Sequence, residues 1–182
     1  MNPVRNRARA IAPEGPRGRA ISNGVKVLAI DPGYGRCGVA VLEKTGGKEV
    51  LVYSNCIETA TTDDFVERLA AVSDGCTRLM KKFEPDAVAI EKLFFSNNQK
   101  TAMHVAEIRG ALIAAAAARD IPVFEYGPGQ VKSATTGSGR ADKRQVVKML
   151  HTLLQIGKNI RYDDEYDAIA IGITHLATAR AR

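Results

Sequence analysis

The chain has 182 residues, 45% hydrophobic and 25% charged, with a net charge of +6. That size suits one domain with a proper core, and no apolar run approaches the roughly 20 residues needed to span a bilayer, which excludes a membrane protein of that kind. The three cysteines (Cys37, Cys56, Cys76) and three histidines are scattered, which excludes a disulfide framework or zinc cluster and points to a reducing, cytoplasmic setting.

The positive charge is not evenly spread. Residues 1–24 hold five Arg and one Glu, and residues 92–148 hold nine Lys/Arg against four Asp/Glu. A tail and one later segment thus carry the basic character, the pattern expected of a protein that meets a polyanion. Residues 1–24 mix Arg, Pro, Gly, Ala and Asn with almost no large apolar side chains, so they read as a disordered basic extension without a signal-peptide core. The folded part is expected to run over residues 25–182.

Taken in order, residues 25–31, 37–43 and 48–58 read as three strands joined by short turns, hence an antiparallel meander. The run Val27-Leu28-Ala29-Ile30 is continuously apolar, as a strand buried on both faces should be. Thr61 and Thr62 then offer helix N-caps, with Asp63 and Asp64 in the favourable first turn. Phe65, Leu69, Val72, Cys76, Leu79, Met80 and Phe83 recur at helical spacing, and Pro85 stops the helix. Residues 86–91 form a short buried strand reached by a crossover, therefore parallel to the first. A polar loop at residues 96–98 leads into an Ala-rich helix to about residue 119, suited to close packing against another helix. Residues 121–126 give a last parallel strand. A Gly-rich segment at 135–139 separates two helical pieces. The helix over 141–154 turns Val146, Val147, Leu150, Leu153 and Leu154 inward, and a final helix begins near Tyr162. The order βββαβαβαα describes an α/β protein with a five-stranded mixed sheet, three strands antiparallel and two parallel, flanked by helices.

Acidic residues close two of these strands. Asp31 ends the first and precedes a Pro-Gly-Tyr-Gly turn, where Asp either caps the turn or faces a cation. Glu91 ends the fourth. If those strands are adjacent, both carboxylates emerge at one sheet edge. The final helix opens with Asp163-Asp164-Glu165-Tyr166-Asp167. Asp164 and Asp167 share a face that continues into the apolar stripe, whereas Asp163 and Glu165 suit simple compensation of the helix dipole. Four converging carboxylates repel, at about 4 kcal/mol per pair 4 Å apart with an effective dielectric of 20. Cations must offset that. Two divalent ions match four carboxylates, and all-oxygen ligation favours Mg²⁺, with Mn²⁺ as a substitute. Two such ions around a phosphodiester are the chemistry of a metal-dependent nuclease.

The segments Ile30-Asp31-Pro32-Gly33, Ala89-Ile90-Glu91-Lys92-Leu93-Phe94, Pro122-Val123-Phe124-Glu125-Tyr126, Gln130-Val131-Lys132 and Asp164-x-x-Asp167-Ala168-Ile169-Ala170-Ile171, in that order, resemble the RuvC family of Holliday junction resolvases, within the ribonuclease H-like fold. The resemblance runs from about residue 25 to 178. It implies a homodimer that nicks opposing strands of four-way junction DNA symmetrically with Mg²⁺, leaving ends that ligase can seal. It further implies the RuvA-RuvB branch-migration complex as a partner. Position by position, Asp31, Glu91, Asp164 and Asp167 match the family's metal-binding acids. Lys132 and Lys143 match backbone contacts near the cut, and Phe94 an aromatic that stacks on an opened base. Arg140 and Arg144 are further candidates for phosphate contact. Asp163, four residues before Asp167, competes with Asp164 for the third acid, and spacing favours Asp164. The basic extension and the Glu165-Tyr166 pair depart from the usual pattern. Two other readings stand beside the nuclease. One is a lobe of an actin- or sugar-kinase-like ATPase, which shares the Asp-x-Gly hairpin but needs two such lobes. The other is a junction-binding module without catalysis.

Overall fold

The computed structural model describes residues 24–93 and 99–178. The elements are β1 (Gly24–Asp31), β2 (Arg36–Thr45), β3 (Lys48–Glu58), α1 (Phe65–Phe83), β4 (Ala87–Glu91), α2 (Gln99–Ala117), β5 (Val123–Tyr126), α3 (Pro128–Thr136), α4 (Lys143–Leu154) and α5 (Asp163–Thr178). The sheet order is β3-β2-β1-β4-β5. β1, β2 and β3 pair antiparallel, while β4 and β5 run parallel to β1. β1 is central, as its unbroken apolar run requires.

Strand alternation divides the core in two. Leu28, Ile30, Val39, Val41, Val88 and Ile90 face one side and pack with Val72, Cys76 and Met80 of α1 and Ile108, Leu112 and Ala116 of α2. Val27, Ala29, Ala40, Leu42, Ala87 and Ala89 face the other, against α3, α4 and α5. Small residues dominate that second face where α5 crosses. At Gly172 a Cβ would stand 2.3 Å from Leu42 Cδ1 and 3.3 Å from Ala29 Cβ, so the helix lies closer to the sheet than any larger residue allows.

Four local expectations change. Gly24 belongs to β1 and not to the N-terminal extension. The cap of α1 is Asp64, not a threonine: its carboxylate accepts from Glu67 N–H while Glu67 reaches back to Asp64 N–H, at 2.9 and 3.0 Å. Asp is at least as good a cap as Thr, and the acid three residues on completes the reciprocal pair. A third trailing helix, α3, stands between β5 and α4. It begins with Pro128 at its first turn, Gln130 accepts from Gly127 N–H at 2.9 Å, and it ends on Gly137 at φ 80°. Leu153 is exposed, because α4 buries only Val146, Leu150 and Leu154, spaced four apart, and Leu153 falls off that stripe. Among the described residues no helix is long and apolar enough to cross a membrane.

Candidate functional site

β1 and β4 are parallel neighbours with Ile30 beside Ile90, so Asp31 and Glu91 leave the sheet at the same end. The N-terminus of α5 comes to this point through a glycine. Gly38 is the strand partner of Asp31. A Cβ on Gly38 would sit 1.8 Å from the Asp164 carbonyl oxygen and 2.4 Å from its carbon. Only glycine lets the first turn of α5 rest on β2 there, and that contact brings Asp164 alongside Asp31. Asp167 follows one turn later on the same helix. Gly33 serves the turn itself, since a Cβ there would lie 2.1 Å from the Arg36 carbonyl oxygen. No open approach to a phosphate is needed to account for it.

The four carboxylates feel one another. Burial raises the pKa of Asp31 from 3.8 to about 8, with Glu91, Asp167 and Asp164 adding to the rise and Lys143 opposing it. Glu91 is likewise raised, first by burial and then by Asp167. Burial raises Asp167 too, against the pull of Lys143. The Lys143 ammonium donates to Asp167 Oδ2 at 3.1 Å and pairs with Asp163 at 3.2 Å. Its own burial pushes its pKa down, but these two acids outweigh that and raise it. On the other flank, Arg36 Nε lies 3.1 Å from Asp164 Oδ2. That oxygen is buried, with no N–H directed at it along a hydrogen bond.

This donor set fits a hard divalent cation. It is all oxygen, it is overcharged, and it holds one buried carboxylate oxygen with unfilled lone pairs. Among the described residues no three acid, His or Cys side chains yet close around a common point. Two of the acids are instead engaged by protein cations, Asp164 by Arg36 and Asp167 by Lys143.

A family model described as crossover junction endodeoxyribonuclease RuvC matches residues 27–175. This chain belongs to the RuvC family. The RuvC of Thermosipho melanesiensis is 44% identical over 147 residues, which is 81% of this chain and 94% of that protein. The RuvC of Thermotoga maritima is 39% identical over 158 residues, covering 87% and 94%. Among solved structures, T. thermophilus RuvC in complex with Holliday junction substrate superposes with a TM-score of 0.78 at 33% identity, over 84% of this chain and 93% of that one. The yeast mitochondrial Holliday junction resolvase Ydc2, at 17% identity and TM-score 0.63 over 84% and 79%, shares the fold. The RuvC fold expected from sequence is therefore the one observed, and the ATPase-lobe reading is set aside.

The remaining residues singled out in this RuvC sequence, apart from Phe94, lie on α3, on α4 or in the loop between them. Lys143, on the first turn of α4, joins the acids directly. Arg144 is exposed beside it, and Arg140 is exposed in the loop before α4. Lys132 is half-buried on α3, which packs against α5. Phe94 lies outside the described residues. Of the two acids assigned to dipole compensation, Asp163 is exposed and bound to Lys143, but Glu165 is buried and ion-paired with Lys158. The loop before α5 supplies that lysine, so Glu165 tethers the helix and does more than face its dipole. Sequence reasoning passed over Arg36 and Gly38. Their cue is the two-residue period of β2: residues 36, 38, 40 and 42 share one face, and Ala40 and Leu42 on it meet α5.

Proposed function

We propose that this protein is a divalent-metal-dependent endonuclease that resolves Holliday junctions by paired nicks in opposing strands. The observation that carries it is the convergence of Asp31, Glu91, Asp164 and Asp167 at one end of the sheet, where burial first and the neighbouring acids second raise Asp31 to about 8, in a RuvC-family chain. These four acids hold the metal, and the hard oxygen donors select Mg²⁺, two ions per site, with Mn²⁺ as a substitute. Bound there, the pair of ions supplies water activation on one side of the phosphodiester and stabilisation of the leaving oxygen on the other.

The chain's own residues do the rest. Asp31 and Glu91, on neighbouring parallel strands, keep a fixed separation. Asp164 and Asp167 are held by the docking of α5 through Gly38 and Gly172. Lys143 balances Asp167 before the substrate arrives and then lies where a backbone phosphate enters. Lys132, Arg140 and Arg144 extend that positive rim, and Phe94 stacks on a base at the opened junction. Residues 25–182 act as one nuclease domain. Two copies, joined through the exposed small residues of α2 such as Gly110 and Ala114, present two sites to a two-fold symmetric junction. The RuvA-RuvB branch-migration complex is the partner machine, and the cytoplasm is the place of action.

The test is cleavage of a synthetic four-way junction against linear duplex, with and without Mg²⁺. Wild-type protein should nick the junction in opposing strands, and Asp31→Asn should bind the junction without cutting it. Unabated cutting by that variant refutes the site. Binding without cutting by the wild type in Mg²⁺ would favour the non-catalytic module.

A further inference from the structure

Arg36 opens β2, two residues before the glycine on which α5 rests. Its Nε stands 3.1 Å from Asp164 Oδ2, and its guanidinium carbon lies 5.0 Å from the centre of the Tyr162 ring. Tyr162 is itself anchored. Its hydroxyl donates to Glu58 Oε2 at 2.6 Å, and Glu58 is the strand partner of Arg36. Arg161 reaches the same ring at 4.8 Å. The guanidinium of Arg36 is thus engaged by both Asp164 and Tyr162, while 52% of the side chain stays exposed. Among the described residues its terminal amino groups make no hydrogen bond.

The contact with Asp164 is lopsided. Arg36 screens the charge of a buried oxygen but directs no N–H along a hydrogen bond to it, so the lone pairs remain available to a competitor. A divalent ion binding through them has to contend with a positive guanidinium about 3 Å from the same oxygen. Two like charges that close repel by more than 1 kcal/mol even at high dielectric. That repulsion favours a guanidinium that moves off the oxygen, and its half-exposed side chain has room to do so. A planar fork of N–H donors matches the oxygens of a phosphate, the anion that a DNA backbone presents.

We propose that Arg36 is a displaceable counter-cation of the acid site: it shields Asp164 in the metal-free protein and passes to a DNA backbone phosphate when a divalent ion takes its place. This rests on the nuclease reading above. It makes Arg36 a positioning residue that couples two binding events. By reciprocity, junction DNA tightens metal binding by the same factor as metal tightens junction binding.

The experiment compares wild type, Arg36→Gln and Arg36→Lys. Ca²⁺ serves as the probe, since it accepts all-oxygen sites of loose geometry. Its affinity is measured by calorimetry on the free protein, and junction affinity by fluorescence anisotropy with Ca²⁺ or with chelator. Circular dichroism confirms that each variant is folded. Arg36→Gln should bind Ca²⁺ about threefold to tenfold more tightly in the absence of DNA, as expected for removal of a half-exposed repelling charge. The gain in junction affinity on adding Ca²⁺ should shrink by a similar factor. Arg36→Lys, which keeps the charge but not the fork, should retain the wild-type Ca²⁺ affinity and lose part of the gain. Unchanged or weaker Ca²⁺ binding by Arg36→Gln overturns the proposal and leaves Arg36 a strut for Tyr162. A wild type that binds no divalent ion and cuts nothing in Mg²⁺ overturns the nuclease reading instead, so the two failures are distinguishable.

Discussion

Replacing Asp31 by Asn should make the metal-free protein more stable, and increasingly so as the pH rises. In the fold the carboxyl is pushed from 3.8 to about 8, chiefly by burial and then by Glu91, Asp167 and Asp164. The folded state therefore holds a proton that the unfolded chain releases above pH 4. A group raised in this way costs nothing below its unfolded value, and the cost accumulates up to its folded value. At 1.36 kcal/mol per unit the whole rise is worth about 6 kcal/mol, of which about 4 falls between pH 5 and pH 9. Water entry and relaxation of neighbouring side chains lower such a penalty by roughly half, leaving about 2 kcal/mol. Urea unfolding of both proteins in chelator at pH 5 and pH 9 measures it. The stability advantage of Asp31→Asn should widen by that amount at the higher pH. Saturating Mg²⁺ should close the gap by stabilising only the wild type, since a ligand that binds the native state alone adds stability by mass action. A gap that stays constant with pH, or narrows as pH rises, would show that Asp31 is neither buried nor crowded by the other acids, and the reasoning that gathers them into one half-buried site would fail.

Gly38→Ala drives a methyl into the Asp164 carbonyl, so it should cost about 1–3 kcal/mol and depress junction cleavage well beyond what that loss explains; thermal melts and cleavage rates at a temperature where both proteins are folded check this. Lys158→Met leaves the buried Glu165 carboxylate without its cation and should destabilise by about 1–2 kcal/mol, less than for a fully buried pair because Lys158 is half exposed. Adding Glu165→Gln to that variant should recover most of the loss in a double-mutant cycle. His175 is buried, shares a 3.0 Å hydrogen bond with the Tyr126 hydroxyl through Nδ1, and has its pKa lowered from 6.5 by burial. Its neutral form is the one the fold accepts, so its contribution is full above pH 6.5 and is lost as the pH falls below that value toward its folded pKa. The difference in stability between wild type and His175→Phe should therefore shift against the wild type on acidification, as read by denaturant melts from pH 7.5 to pH 5.

The sheet was legible because buried strands write themselves as unbroken apolar runs, and the run at residues 27–30 could belong only to a central strand. The acids at residues 31 and 91 were legible for a related reason: a charge directly after such a run has to meet something at the sheet end. The helices were less readable where their burial is slight. α3 has nine residues and a weak apolar pattern, with only Val131 and Thr135 buried, so it showed as a helical piece before the Gly-rich segment but found no place in the element order. Glu165 looked like a surface acid because its cation, Lys158, comes from the loop before the helix, and loop geometry leaves no periodic mark. Arg36 and Gly38 were hidden by the opposite effect. Each sits in an unremarkable strand, and its meaning depends on which helix lands on that strand. Leu153 shows the limit of helical spacing, since an apolar residue near the stripe is not on it.

The assembly of the acids from β1, β4 and α5 has a consequence for the life of the chain. Synthesis delivers Asp31 first and Glu91 some sixty residues later, and the sheet can join them while the chain is still growing. Asp164 and Asp167 arrive on the last of the described helices, and they reach the others only once α5 is seated on Gly38 and Gly172. Until then there are two carboxylates at the end of a sheet and no complete donor set. The donor set of a protein that severs DNA is thereby completed only by the last of its described helices, made after the sheet on which that helix docks.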